Sequence, residues 1–322
     1  MKFRLLPAYL RGSVGLLLLL LLLLLLACGT GVSQAAAVRT YVTEIPELLA
    51  RSPASDWERI PDGDIVMLEL ASGTVVVELA PFASPGHAGR WRSLVRDGYY
   101  DDSSVQRVQE NYVVQWGEAT GTRSPGEAGA RLPDETRFAF TPSMEKAFVP
   151  LGAVDGYAPH VGFIDGFPVG VDEAREHAWV LHCHGAVGTV QADPASTPGG
   201  VYFYAAIGNP ARELDGRIPV VGRVIEGIEA MSTLPRGEGV YGFLDASRHV
   251  PIQRTRLAGD IPAGDRPRFE RLRTGSGTFA TLLRLRAASL ARAASASAPY
   301  PVDACSVPLP VRRVPAAIPA SD

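Results

Sequence analysis

The sequence predicts a mostly β fold, and two observations support that prediction. The 322 residues include 33 glycines and 26 prolines, which favour turns and interrupt long helices. Two short runs, Val105–Val108 and Tyr112–Gly117, are rich in β-branched and aromatic residues and flank a polar turn at 109–111, as in a β-hairpin. Apolar residues make up 46% of the chain and charged residues 20%, the balance of a globular protein. We therefore expect a β-rich globular domain rather than a helical bundle.

The N-terminus predicts a secretory signal peptide over residues 1–37. Basic Lys2, Arg4 and Arg11 precede the uninterrupted leucine run Leu16–Leu26. This run is short for a membrane span, and its flanks suit a signal peptide, with an uncleaved anchor as the alternative.

Two cleavage sites compete within this leader. Leu25-Leu26-Ala27-Cys28 resembles the lipobox of bacterial lipoproteins, in which Cys28 would become acylated, whereas Ala35-Ala36-Ala37 fits an ordinary small-residue site. Either route predicts an exported protein of the periplasm or cell envelope, and the first adds membrane attachment through Cys28.

The charge balance argues against a nucleic-acid partner. Removing Met1–Ala27 takes away three basic and no acidic side chains, which leaves 28 against 34 and a net charge of −6. A chain this acidic lacks the basic surface that sequence-independent nucleic-acid binding requires. Two cysteines remain, Cys183 and Cys305, and in an oxidising compartment they either form one disulfide or stay unpaired.

A second hairpin and a helix are predicted upstream of the Val105 hairpin. Ile65–Leu70 and Thr74–Leu79 read as two strands around a Ser-Gly turn. A helix follows, with Ser84 as N-cap, Pro85 at its first position and Gly98 as its stop signal.

The Val105 hairpin places polar side chains on one face. If Val108 pairs with Tyr112, Arg107 faces Val113 and lies diagonally from Gln115, about 7–8 Å away. This face would otherwise consist of valine and tyrosine. A guanidinium and a carboxamide there predict that it forms the floor of a binding groove.

This stretch resembles the signature of the cyclophilin-type peptidyl-prolyl isomerases. There, a phenylalanine-histidine-arginine-valine strand leads through a turn to an aromatic residue, two apolar residues, a glutamine and a glycine. The matching positions here are Arg107, Val108, Tyr112, Val113, Val114, Gln115 and Gly117. Trp116 replaces a usual glycine, and Val105-Gln106 replace the phenylalanine-histidine pair.

Three later segments continue the resemblance in the same order. They are Gly185–Ala192, Gly200–Gly208 and the stretch from Leu214-Asp215-Gly216 through Val221–Val224. The resemblance implies a closed antiparallel eight-stranded β-barrel capped by two α-helices, over residues 62–262. An unmatched insertion at about 118–180 is expected to decorate its surface. Residues 38–61 form a lead-in, and 263–322 form an extension with a helix at about 277–294 followed by a flexible tail.

The resemblance also implies the site. Arg107 would be the catalytic residue, and substrate would be bound by Tyr112, Val113, Gln115, Val190, Gln191, Tyr202, Tyr204, Leu214 and Ile218. Tyr202 stands at a usual glutamine, Glu213 at a frequent tryptophan and Ile218 at a frequent histidine or tyrosine, which makes this a divergent member.

Rotation about an X–Pro bond needs no nucleophile, metal or cofactor, and none is predicted. His182-Cys183-His184 is the one tempting metal cluster. Adjacent strand residues point to opposite faces, so His182 and His184 share a face that excludes Cys183. We expect no metal site there.

The predicted function is peptidyl-prolyl cis-trans isomerisation that assists the folding of exported proteins, with proline-containing polypeptides as clients. The alternative is a non-catalytic binding or chaperone module on the same barrel, motivated by the substitutions at Tyr202, Glu213 and Ile218. A more remote alternative is a structural lipoprotein that uses the insertion and tail as its interface and has an occluded groove.

Overall fold

The computed structural model describes residues 44–118, 123–126, 131–190, 199–209, 211–294 and 301–314. The chain divides into two units, Met1–Ser52 with Ala280–Val302, and Pro53–Phe279 with Asp303–Asp322. The predicted leader lies outside the described residues. Within those ranges, no helix combines the length and apolar character needed to cross a membrane.

The regular secondary structure of the described residues is mainly β-strand, as predicted. The strands are β1 (Trp57–Arg59), β2 (Ile65–Leu70), β3 (Gly73–Leu79), β4 (Ser104–Val108), β5 (Val113–Gly117), β6 (Phe138–Ala139), β7 (Val149–Pro150), β8 (His160–Ile164), β9 (Phe167–Val171), β10 (His177–Val180), β11 (Ala186–Thr189), β12 (Phe203–Ala206), β13 (Val220–Glu226), β14 (Val250–Leu257), β15 (Arg268–Leu272) and β16 (Val311–Val314). The helices are α1 (44–50), α2 (Pro85–Arg96), α3 (Pro142–Ala147), α4 (Ile228–Ser232) and α5 (Gly277–Ala293).

Eight antiparallel strands close into a barrel in the order β11-β12-β5-β4-β14-β2-β3-β13. The predicted first hairpin is present, with Val66 opposite Val77. Alternate residues of these strands fill the barrel, because successive side chains of a strand point to opposite faces. The outward-facing residues of β4, β5 and β12 are thereby free to form a site.

Helices α2 and α4 cap the barrel. Trp91 of α2 stacks on Phe203 of β12, with ring centroids 4.1 Å apart, and Met231 of α4 is fully buried in the same core. Helix α2 begins at Pro85 after Ser84, as predicted. The Ser84 hydroxyl, however, makes no capping bond and donates to a carbonyl oxygen of β13 instead.

The insertion forms its own five-stranded sheet in the order β6-β10-β9-β8-β7. Phe167 and Val169 of this sheet are buried together with Ala186 and Val220, which belong to the barrel strands β11 and β13. The insertion is therefore packed on the barrel through an apolar layer, where a buried aromatic residue contributes about 1.5–3 kcal/mol.

A three-stranded sheet, β1-β15-β16, unites the lead-in with the C-terminal extension. The predicted flexible tail does not extend to residues 311–314, because β16 pairs with β15 and Arg312 lies over the ring of Trp57 at 4.1 Å. The C-terminal extension is also linked covalently to the rest of the chain, since Cys305 forms a disulfide with Cys183, with a Cα–Cα distance of 5.0 Å. In the smaller unit, Arg292 of α5 pairs with Glu44 of α1 at 3.7 Å.

Candidate active site

The register of the β4–β5 hairpin differs from the predicted one. Arg107 lies directly opposite Gln115, not opposite Val113, because the loop closes with the Gln109 N–H donating to the Val113 carbonyl. Asn111 takes the left-handed conformation, with φ 53°, as its residue type favours. A bulge between Val105 and Arg107 then shifts the register, so that Val105 lies opposite Trp116 and Ser104 opposite Gly117.

The corrected register creates a row of side chains across four strands. Arg107 of β4 pairs with Gln115 of β5, and Gln115 pairs with Tyr204 of β12. Tyr204 lies opposite Gly188 of β11. A Cβ at Gly188 would come within 2.4 Å of the Tyr204 ring, so the ring lies flat over this glycine. Since directly paired residues share a face, the row runs along the outside of the barrel.

The Arg107 guanidinium is fixed through each of its nitrogens. Its Nε donates to the Tyr241 carbonyl at 2.6 Å, and its Nη1 donates to the Gln115 carboxamide oxygen at 3.4 Å. Its Nη2 donates to the Gln109 carboxamide oxygen. The plane of the fork is therefore set before any ligand arrives.

Two aromatic rings flank the same guanidinium. Its central carbon lies 5.9 Å from the ring centre of Tyr112 and 5.3 Å from that of Phe243, within the range of cation–π attraction. Burial lowers the pKa of Arg107 below its ordinary value, with Tyr112 acting in the opposite direction. Partial removal of water strengthens any hydrogen bond that the guanidinium donates.

The residues expected to hold the proline ring occur on adjoining elements. Val113 is buried on β5, and Leu214 is half-buried on a short turn that also carries Glu213. Burial and the hydrogen-bonded Glu213 carboxylate raise the pKa of Tyr112. Burial, with Tyr112 as the next cause, raises the pKa of Tyr204 well above 10. Both phenols therefore stay neutral.

A buried polar network stands behind Tyr204. Its hydroxyl lies 2.9 Å from His182 Nε2, and His182 Nδ1 lies 3.2 Å from Asp215. Asp215 pairs with Arg212, which makes a two-pronged salt bridge to Asp155 of the insertion at 2.9 and 3.0 Å. The side chains of His182, Asp215, Arg212 and Asp155 are all less than 9% exposed.

The other predicted binding residues form a second row. Tyr202 pairs with Val190 through a backbone hydrogen bond of 2.9 Å, and its ring lies over Gly117. A groove of about 590 Å³ adjoins Val190, lined in part by Leu132, Thr189, Gly216 and Pro219. Ile218 is half-buried at the end of the Leu214 turn, and Gln191 lies outside the described residues.

Some site residues were not predicted from the sequence. His182 was considered in the sequence only as a metal ligand, together with Cys183 and His184. In the structure these three side chains lie apart. His182 is buried against Tyr204, Cys183 is in the disulfide, and His184 is exposed. Within the described ranges, no cluster of three His, Cys, Asp or Glu side chains could hold a metal ion. Tyr241 and Phe243 were also missed, because nothing local in the sequence links them to Arg107.

The chain is similar in sequence to known peptidyl-prolyl cis-trans isomerases. The peptidyl-prolyl cis-trans isomerase-like 1 of Gibberella zeae is 35% identical over 72 residues, which is 22% of this chain and 44% of that protein. A probable peptidyl-prolyl cis-trans isomerase of Brucella suis is 24% identical over 172 residues, 53% of this chain and 71% of that protein. The chain thus matches less than half of the length of the first relative.

The fold has a solved counterpart as well. The crystal structure of cyclophilin AquaCyp293 from Hirschia baltica superposes with a TM-score of 0.65 at 24% identity, covering 80% of this chain and 93% of that one. The family model described as cyclophilin type peptidyl-prolyl cis-trans isomerase matches residues 65–256, more than half of the chain. The protein is thus a divergent bacterial-type member of the cyclophilin-type peptidyl-prolyl cis-trans isomerase family.

Proposed function

We propose that the protein accelerates cis–trans rotation about X–Pro bonds of polypeptides, with Arg107 as the catalytic residue. The observation that carries this proposal is the fixed Arg107 guanidinium on the outside of the barrel, in one row with Gln115 and Tyr204. Membership of the cyclophilin-type family supports it.

The chemistry asks for a positioned donor rather than a nucleophile. Partial double-bond character gives the peptide bond a rotation barrier of about 18–20 kcal/mol, and uncatalysed X–Pro exchange takes about 10–100 s. In the twisted transition state the proline nitrogen loses conjugation and gains a lone pair. A donor aimed at that lone pair stabilises the twisted state and not the planar one, which is the condition for acceleration.

Arg107 fits this role because a guanidinium is planar, permanently charged and carries five N–H donors. The bonds to Tyr241, Gln115 and Gln109 engage one N–H on each nitrogen. Each terminal nitrogen carries a second N–H, and the long 3.4 Å contact to Gln115 is the one most easily exchanged for substrate. Gln115 is then freed to bind the substrate backbone.

The apolar side chains around Arg107 supply the proline pocket in this proposal. Tyr112, Val113, Tyr204 and Leu214 would enclose the ring, and Val190 with Gln191 would hold the backbone beyond it. A proline that fills an apolar pocket excludes water from the rotating bond, which strengthens the hydrogen bond from Arg107.

The test measures the rate of cis–trans exchange in short X–Pro peptides by NMR exchange spectroscopy. The peptides differ in the residue that precedes proline. Arg107→Ala should lower kcat/KM by about 10²–10³-fold, the usual loss for one transition-state donor. Arg107→Lys keeps the charge without the planar fork and should fall in between. Arg254→Ala is the matched control, since Arg254 is an exposed arginine on the neighbouring strand β14. Equal rates for wild type and Arg107→Ala would remove Arg107 from the mechanism.

Two observations favour a second candidate, a binding module that holds proline-containing segments without accelerating rotation. Every nitrogen of Arg107 already has a partner within the protein, and Glu213 places a carboxylate beside Tyr112. This candidate predicts peptide binding in an NMR titration with no gain in exchange rate for any residue before proline.

The clients in this proposal are exported proteins, whose folding the enzyme assists in the periplasm or cell envelope. Two features support this location: the leucine run Leu16–Leu26 with its basic flank, and the Cys183–Cys305 disulfide, which persists in oxidising compartments. Acylation at Cys28 would attach the protein to the membrane, and cleavage after Ala37 would release it. Mass spectrometry of the mature N-terminus from an envelope fraction distinguishes the two forms.

A further inference from the structure

We propose that residues 235–249, here called the aromatic loop, form a docking surface for an apolar side chain of the client chain, one to three residues from its proline. This inference rests on the proposed function, because it extends the same site along the polypeptide. It adds a preference for apolar or aromatic residues at one spacing from proline.

The aromatic loop exposes large apolar side chains to solvent. Val240 is 79% exposed, Tyr241 66% and Phe243 53%, three such residues within four positions. A single exposed apolar side chain is ordinary on a protein surface, but a contiguous group marks an interaction site.

The exposure is built into the backbone of the loop. The Val108 N–H donates to the Gly242 carbonyl at 2.8 Å, and the Leu244 N–H donates to the Gln106 carbonyl at 2.9 Å. Gly242 has φ +67° and packs so closely on β4 that a Cβ there would lie 2.6 Å from Gln109 Cα. Leu244 is buried in the barrel core. These bonds fix the loop backbone on β4, with Val240, Tyr241 and Phe243 exposed to solvent.

The exposed group is continuous with the candidate active site. The Tyr241 carbonyl accepts the Arg107 Nε hydrogen bond at 2.6 Å, and the Phe243 ring centre lies 5.3 Å from the guanidinium carbon. When the proline of a client chain lies at Arg107, the client residues that flank this proline therefore lie beside the aromatic loop. An extended chain rises about 3.3 Å per residue, so a side chain one to three residues away reaches roughly 3–10 Å along the loop.

The occupant is an unfolded client segment carrying an apolar residue. Such segments expose leucine, valine and aromatic side chains before folding, and these bury apolar area against Val240 and Tyr241. A charged side chain would gain no ion pair from Val240, Tyr241 or Phe243, and the exposed loop residues Glu238 and Arg248 already pair with each other at 3.0 Å. The surface thus binds unfolded polypeptide through apolar side chains that become buried once the client has folded.

The test is a peptide series with one proline and a single leucine or serine moved through the three positions on either side. At one position, leucine should lower KM about tenfold relative to serine with kcat unchanged, as expected from burying part of one aliphatic side chain. The Val240→Ser/Tyr241→Ser double variant should lose this preference, so that the leucine and serine peptides have equal KM values. Tyr241 meets Arg107 only through its backbone carbonyl, so the change leaves that hydrogen bond in place. Val154→Ser, at a fully exposed valine elsewhere, should keep the preference.

Peptide affinities measured by NMR titration separate this proposal from the isomerase proposal. If no peptide is turned over but leucine still tightens binding at one position, and the double variant abolishes the difference, the docking surface stands and the isomerase proposal fails. Equal affinity and equal KM for leucine and serine at every position would overturn the docking surface. So would a preference that survives in the double variant.

Discussion

At the scale of single residues, Tyr204 is held by its hydroxyl as well as by its ring, because the hydroxyl has a buried partner. His182 Nε2 lies 2.9 Å from that hydroxyl, and Asp215, Arg212 and Asp155 complete the chain of contacts behind it. A buried polar chain is costly unless every member is satisfied. This one therefore makes the ring orientation depend on a hydrogen bond as well as on packing.

Replacing Tyr204 tests that dependence. Tyr204→Phe leaves the ring and removes the hydroxyl, so the fully buried His182 loses a partner. We expect the free energy of unfolding to fall by about 1–3 kcal/mol, measured by urea denaturation. Tyr202→Phe is the matched control, since Tyr202 is only half-buried on the neighbouring row, and it should change stability by less than about 0.5 kcal/mol. An unchanged Tyr204→Phe midpoint would show that the hydroxyl contact does not stabilise the fold.

Residue identity in the sequence predicted only part of this site. Arg107, Gln115 and Tyr204 come from strands whose patterns are visible locally, and the structure brings the three into one row. His182 and Asp155 reach the site from the insertion side, where no local pattern indicates their partners. Such a network depends on contacts between residues 22 to 57 positions apart, and spacing alone does not encode them.

At the scale of elements, helix α2 owes its N-terminal cap to a distant residue. Glu135 accepts hydrogen bonds from the Gly86 N–H at 2.7 Å and the His87 N–H at 3.0 Å, and lies 2.6 Å from His87 Nδ1. A carboxylate at a helix N-terminus satisfies free N–H groups and interacts favourably with the helix dipole. Glu135 therefore caps the N-terminus of the helix that covers the barrel.

This cap gives stability a pH dependence. Burial lowers the pKa of His87 below its ordinary 6.5, with Glu135 opposing. The unfolded chain then binds the proton first, so the His87 contribution is present above pH 6.5 and is lost as the pH falls below it. Urea denaturation at pH 7.5 and 5.5 should show a smaller loss for His87→Gln than for wild type. His184→Gln, at an exposed histidine, should keep the wild-type loss. A wild-type protein that gains stability on acidification would show that Glu135 outweighs burial.

The hairpin shows why element boundaries were predictable while the register was not. Both strands are where their β-branched residues predict, but the loop closes one residue later than expected, and a bulge follows. Moving the loop by one residue changes the residue opposite Arg107 from Val113 to Gln115, two positions along the strand, so the side chains keep their faces and turn geometry decides only which of them pairs with Arg107. An asparagine at position 111 can adopt a left-handed conformation, but its residue type does not determine which position of the turn it occupies.

At the scale of the whole molecule, the barrel was predictable because four segments occur in the order of a known family. The sheet of the insertion and the β1-β15-β16 sheet were not, because pairing between strands far apart in sequence has no local signal. The tail is the clearest case: Val311–Val314 reads as a short apolar-basic run, and only β15 makes it a strand. Tertiary pairing thus ordered what composition predicted to be flexible.

The disulfide is the covalent part of that long-range order. Cys183 and Cys305 are 122 positions apart, and closing a loop of about 100 residues or more stabilises a fold by roughly 2–5 kcal/mol through the unfolded chain. The Cys183→Ser/Cys305→Ser double variant should therefore unfold at a lower urea concentration. The urea midpoint of the wild type should fall to a similar value in the presence of reductant, whereas the midpoint of the double variant should not change with reductant. A wild-type midpoint that reductant does not change, with the thiols verified as reduced, would mean that β16 and its apolar contacts alone hold the tail. Because the bond lies one residue from His182, the same samples assayed on X–Pro peptides show whether the tail also supports the pocket.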